Sequence, residues 1–232
     1  MSEPIRDYIE VMAIVEGKTE QVFIEQVLAP YLAEQMIFIY ATQVSKPGQK
    51  GGDVRFSRMS RDIGLHLKQR SDTYVTTLVD YYGVKEWPGI ETLGHPNNPQ
   101  QIADHLNEAT LQQVVGKFTE QQAERRFIPF IAVHEFEALL FSDSAILASE
   151  LGVPEPEVNA VLAECGSAEA INNGPDTAPS KRLDRWSANG KFAKTTKGIA
   201  IAQRIGIPRM RAQCPLFNTW IARIEALMLE SA

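Results

Sequence analysis

The stretch VMAIVEGKTEQVF, residues 11–23, runs apolar and then stops on a glutamate. Its first half has the composition of a buried strand and its second half the spacing of a helix. What joins them decides the fold. Gly17-Lys18-Thr19 has the tail of a phosphate-cradling loop, G-x-x-x-x-G-K-[ST], whose backbone N–H groups wrap a phosphate. That loop needs a glycine five residues before Gly17, where this chain has Met12. Val15 and Glu16 replace its small residues, and a carboxylate there repels a phosphate. The stretch is therefore a strand that delivers Glu16, Gly17 and Glu20 to its carboxyl end.

Working outward, YIEVMAIVE (8–16) reads as a buried strand. TEQVFIEQVLAPYLAEQ (19–35) reads as a helix capped by Thr19 and kinked or ended by Pro30. MIFIYATQV (36–44) is a second strand, SKPGQKGGDVRF (45–56) a loop, and SRMSRDIGLHLKQR (57–70) a helix. TYVTTLVDYYG (73–83) is a strand whose apolar part closes on Asp80. NPQQIADHLNEATLQQVVGKF (98–118) is a helix with Pro99 near its start. RFIPFIAVHEFEALLFSD (126–143) begins as a strand and becomes an apolar helical run.

This alternation predicts an α/β fold, a mostly parallel sheet flanked by helices. The expected division is an α/β core over residues 1–145 and a helical C-terminal extension over 146–232. The tail CPLFNTWIARIEALMLE (214–230) is an amphipathic helix expected to pack on the body, with Phe217, Trp220, Ile221, Ile224, Leu227 and Met228 on one face.

With 232 residues, 44% hydrophobic and 22% charged, the chain has the composition of an ordinary soluble protein. No apolar run reaches the roughly 18–20 residues of a membrane span. The acidic, polar start MSEPIRDYIE is unlike a secretory signal, and Cys165 and Cys214 lack the spacing of a disulfide framework or a zinc knuckle. The expected location is the cytoplasm. Net charge is −6, unevenly spread: residues 1–180 hold 13 Lys/Arg against 26 Asp/Glu, whereas residues 181–211 hold nine basic residues and Asp184 as their single acid. An acidic body with one basic segment suits a phosphate-bearing partner gripped locally, although a solvated basic loop has the same composition.

In a parallel sheet ligands sit beyond the carboxyl ends of the strands. Three expected strands end there on acids: Glu16, Asp80 and the pair Glu135/Glu137. Carboxylates crowded at one edge repel unless a cation lies between them, and hard oxygen donors favour Mg²⁺ or Mn²⁺. Such an ion activates water and neutralises charge during phosphodiester cleavage. A plain carboxylate at a helix N-terminus is an equal reading for Glu20 and Glu137 and a weaker one for Glu16 and Asp80, each of which closes an apolar strand. His134-Glu135 begins H-E-x-x-H, but position 138 is Ala, which excludes that zinc helix. His134 is left as a supporting group beside the acids.

The spacing Glu16-Gly17-Lys18-Thr19-Glu20, followed by a strand ending Asp80-Tyr81-Tyr82-Gly83, resembles the Toprim domain of topoisomerases, primases and nucleases of the overcoming-lysogenization-defect type. VHEFEALLFSD, APSKRL and CPLFNTWIARIEAL are similar to an uncharacterised bacterial family placed among Toprim-like proteins. The resemblance implies a Toprim-like, Rossmann-type core and a metal-dependent nuclease acting on DNA or RNA. It implies a catalytic or metal-linked Glu16, with Gly17 and Glu20 in support, and Asp80 as the first acid of a D-x-D metal motif. The second position of that motif is Tyr82, a poor ligand, so Glu135 or Glu137 is expected to complete the set. Lys181, Arg182 and Lys197 in the basic segment, and Lys50 in the QKGG loop, are candidate phosphate contacts, Lys181 also a catalytic one. The resemblance further implies a partner ATPase of the ABC class in an anti-phage system. Homo-oligomerisation is left open. The alternative is a Toprim-derived module that binds nucleic acid or protein without cutting.

Overall fold

The computed structural model describes residues 8–45, 54–81, 84, 86–94, 98–133, 135–171, 174 and 176–230. Its centre is a parallel sheet of β1 (Ile9–Val15), β2 (Ile37–Gln43), β3 (Thr73–Asp80), β4 (Phe127–Ile128) and β5 (Ile131–Ala132), in the order β2-β1-β3-β4, with β5 also on β3. The alternation of side chains on β1 sorts the core into two layers. Val11, Ala13 and Val15 face one side and Ile14 the other.

The first layer is covered by α1 (Lys18–Phe23) and α2 (Ala29–Ala33), joined by a π-helical turn, Ile24–Leu28. Pro30 therefore does not end the helix. The wider turn before it absorbs the missing N–H, and the chain stays helical to Ala33. The second layer is covered by α3 (Phe56–Gln69) and α4 (Pro99–Lys117). Asn98 caps α4, its Oδ1 accepting from the Gln101 N–H at 2.9 Å. A short α5 (Ala123–Arg126) leads into β4.

β4 and β5 are one edge strand interrupted at Pro129, which has no N–H to offer the ladder. Thr77 bridges the gap: the Phe130 N–H donates to its Oγ1 at 3.0 Å. Beyond β5 come a 3-10 helix, Phe136–Ser142, then α6 (Ser144–Leu151), α7 (Glu155–Cys165), α8 (Pro179–Trp186), a π-helical turn at Lys194–Gly198, α9 (Ile199–Ile205), α10 (Ile207–Gln213) and α11 (Pro215–Glu230). α9 to α11 share the first-layer core with α1 and α2. Phe217, Trp220, Ile221, Ile224 and Leu227 of the tail are buried, and Met228 packs against them. Trp220 stacks on Phe130 at 4.6 Å and its Nε1 donates to Thr76 Oγ1 at 2.8 Å, which ties the tail to β3. Among the described residues no helix is long and apolar enough to cross a membrane.

From β1 the chain steps to β2 on one side and then crosses back over β1 to β3 on the other, so the strand order reverses between β1 and β3. In parallel sheets such a switch point, beyond the carboxyl ends, is where ligands bind. Glu16 follows the end of β1 and Asp80 closes β3 at this point.

Candidate functional site

Glu16 follows the last residue of β1, and its N–H donates to Leu78 O at 3.3 Å, keeping it in step with β3. Gly17 then turns the chain into α1 with an extended backbone. A Cβ at position 17 would lie 3.2 Å from Glu20 Oε2, so glycine leaves room for the Glu20 carboxylate to fold back over the loop. Gly17, not Thr19, is the cap of α1, and no side chain completes it. The buried Glu20 carboxylate instead takes hydrogen bonds from the N–H groups of Glu20 and Gly17, as a negative charge at a helix start favours.

Asp80 closes β3 opposite Ala132 of β5. Its Oδ1 is shielded from solvent and accepts no hydrogen bond among the described residues. Glu16, Glu20, Glu135 and Glu137 all lie near enough to act on its charge. Burial, then these four carboxylates in the order Glu20, Glu16, Glu137 and Glu135, holds the Asp80 carboxyl well above its ordinary range. Burial also raises Glu20, against the pull of its backbone donors and of Lys194. Burial raises Glu137 too, partly offset by Lys194.

The two downstream acids have partners. Glu135 receives the Ser180 N–H at 2.7 Å and the Ser180 hydroxyl at 2.8 Å, at the start of α8. Glu137 is the first-turn acid of the 3-10 helix, 2% exposed, and pairs through Oε1 with Lys194 Nζ at 2.8 Å. Burial opposes the Lys194 charge, but Glu137, Glu135 and Asp80 outweigh it and raise its pKa. A helical turn thus separates the pair that a strand would have kept on one face.

Among the basic candidates, Lys181 is exposed on the first turn of α8, beside Ser180. Arg182 is turned inward: it is buried, donates to Thr177 O at 2.9 Å and pairs with Glu164 at 3.5 Å. Its guanidinium is committed within the fold instead of being offered to a phosphate. Lys197 is half-buried on the same π-helical turn as Lys194. Lys50, Tyr82 and His134 lie outside the described residues. Sequence reading missed Lys194. KTTKG (194–198) carries two lysines with the same local signature, and only the tertiary fold sends the first to the acids.

The donors suit a hard divalent cation. They are all carboxylate oxygens, and one of them, Asp80 Oδ1, is buried without a donor among the described residues. Among the described residues no three His, Cys, Asp or Glu side chains are gathered closely enough to enclose a metal ion. Mg²⁺ does not require that, since it commonly binds through one or two carboxylates with waters and substrate phosphates. Asp80 and Glu16, at the ends of neighbouring strands, are the residues that could hold such an ion, with Glu20 close to Asp80.

A family model described as a domain of unknown function (DUF4276) matches residues 15–225. No curated protein and no solved structure matches the chain.

Proposed function

The chain belongs to the DUF4276 family, and we propose that it is a divergent Toprim-type, metal-dependent phosphodiesterase acting on DNA or RNA. The observation that carries this reading is the gathering of five carboxylates, Glu16, Glu20, Asp80, Glu135 and Glu137, at the carboxyl end of a parallel sheet on both sides of its switch point. Strongly displaced carboxyl groups in a crevice are typical of sites that do chemistry.

When bound, Mg²⁺ or Mn²⁺ supplies polarisation of a phosphoryl oxygen and a water of lowered pKa. The chain contributes the rest. Asp80 and Glu16 would hold the ion, and Glu20, kept in place by Gly17 and the start of α1, would be the carboxylate to take a proton from an attacking water. Lys181, exposed beside Ser180 on the first turn of α8, is the basic candidate to meet a phosphate oxygen. The chain carries no P-loop, so any ATP-driven activity needs a second protein, for which an ABC-class ATPase in phage defence is the proposed partner.

The test is cleavage of labelled single- and double-stranded DNA and RNA with Mg²⁺ or Mn²⁺, comparing wild type with Asp80→Asn. Metal-dependent cleavage that the variant loses is the expected result. A second reading, a binding module without catalysis, draws on one observation: Glu135 and Glu137, the two candidates to complete the metal set, are already held by Ser180 and Lys194. Binding without cleavage, unchanged by Asp80→Asn and by an added ATPase partner, would favour it.

A further inference from the structure

Lys194 stands where a counter-cation belongs. Its ammonium lies 2.8 Å from Glu137 Oε1, and its charge also acts on Glu20, Glu135 and Asp80. The two members of the pair differ in freedom. Glu137 sits in the 3-10 helix Phe136–Ser142, every residue of which is buried. The Lys194 side chain is 43% exposed and opens a π-helical turn whose residues Lys194, Thr195 and Thr196 face solvent. Rotation about its four-carbon stem can open the pair without moving the backbone.

The charge balance argues in the same direction. A single ammonium meets several carboxylates, and a dication at the same distance attracts each of them about twice as strongly. A divalent ion entering beside Asp80 therefore removes the electrostatic reason for the lysine to stay. From this geometry we propose that Lys194 is a tethered counter-ion, which neutralises Glu137 in the metal-free protein and is released when a divalent cation binds. The proposal rests on the divalent-cation reading of the site. It makes Lys194 a competitor of the metal and not one of its supports.

The test uses the full chain as wild type, Lys194→Met and Asp80→Asn, with Mn²⁺ titrated against thermal unfolding from a chelated start. The expected result is that Lys194→Met binds Mn²⁺ about fivefold more tightly than wild type, the effect of removing a competing, partly exposed ion pair worth about 1 kcal/mol. In wild type, amine-directed acylation of Lys194, followed by peptide mass spectrometry, should rise on adding Mn²⁺. Equal or weaker Mn²⁺ binding by Lys194→Met overturns the proposal, as does unchanged acylation in wild type under saturating Mn²⁺. In both cases Mn²⁺ stabilisation that is lost in Asp80→Asn leaves the metal site itself standing. Absence of any Mn²⁺ response in wild type and Lys194→Met overturns the site reading and the proposal together.

Discussion

At the amino end of the sheet Arg126 aims its guanidinium at four backbone carbonyls, those of Leu67, Arg70, Thr73 and Gln121, whereas at the carboxyl end Asp80 lies among four other carboxylates. Both groups are charged and both sit at the end of a strand. Arg126, only 6% exposed, has its donors matched by carbonyls at the end of α3, around the turn before β3 and ahead of α5. Arg70 beside it pairs with Glu10 at 2.6 Å and Asp72 at 3.0 Å. One end of the sheet uses charge to close the fold. The other keeps like charges together and leaves Asp80 Oδ1 without a donor among the described residues, an arrangement that costs stability unless something binds there.

The largest effect is expected where charge is satisfied. Arg126→Ala leaves four carbonyls without their donor and should cost about 3–5 kcal/mol in urea unfolding. Arg126→Lys should recover little, because an ammonium cannot reproduce the planar fork. A cost below about 1 kcal/mol would mean that Arg126 is only a surface-like contact, and the contrast between the two ends would collapse.

The opposite sign is expected at the other end. Asp80→Asn removes one of five crowded carboxylates while keeping the shape of the side chain. In chelator it should stabilise the protein by about 1–2 kcal/mol, and it should abolish stabilisation by Mg²⁺ or Mn²⁺. Destabilisation in chelator would show that Asp80 is structurally satisfied after all.

The acids also set a pH dependence whose direction follows from their shifts. Asp80, Glu20 and Glu137 have folded pKa values raised above the ordinary 3.8 and 4.5. A carboxylate raised in the folded state binds its proton there before it does so in the unfolded chain. Its contribution is full below the unfolded value and is lost as pH rises through the folded one. Metal-free wild type should therefore lose stability as pH climbs from 4.5, by up to ~1.4 kcal/mol per pH unit for each extra proton held. Glu225 works the other way: its pKa is lowered, Arg211, Gln35 and Tyr31 outweighing its burial, so its contribution fades as pH falls. Asp80→Asn should flatten the upper part of the profile, and Mn²⁺ should do the same by keeping the carboxylates ionised.

How much of this was legible beforehand depends on the range of the interaction that fixes each feature. β1, β2 and β3 follow from apolar runs bounded by polar residues, and Asn98-Pro99 marks the start of α4, all local signals. Glu16 and Asp80 were legible as neighbours because a parallel sheet puts the carboxyl ends of its strands side by side. The capping of α1 was misread, since the helix starts two residues earlier, on Gly17, and Thr19 lies inside its first turn. Of the two expectations for Pro30, ending the helix fails, because a π-helical turn spreads the loss of one N–H, and nothing in the composition announces that turn. Lys194 and Ser180 reach the acids across 57 and 45 positions of sequence respectively. No short-range pattern distinguishes them from Lys197 or Ser187.

The smallest effect tests the seam between the two ends of this account, where Glu135 belongs to the acidic group by position and to α8 by its hydrogen bonds. Ser180 donates to it twice, from the backbone at 2.7 Å and from the hydroxyl at 2.8 Å. Ser180→Ala removes only the second bond and should cost about 1 kcal/mol in a thermal melt. If Glu135 serves mainly to start α8, the backbone N–H still holds it, and the Mn²⁺ midpoint should not move. A lower midpoint in Ser180→Ala would mean that the freed oxygen has joined the metal-facing acids. The start of α8 would then restrain a ligand instead of merely being capped by an acid, and Glu135 would pass from the satisfied side of the comparison to the strained one.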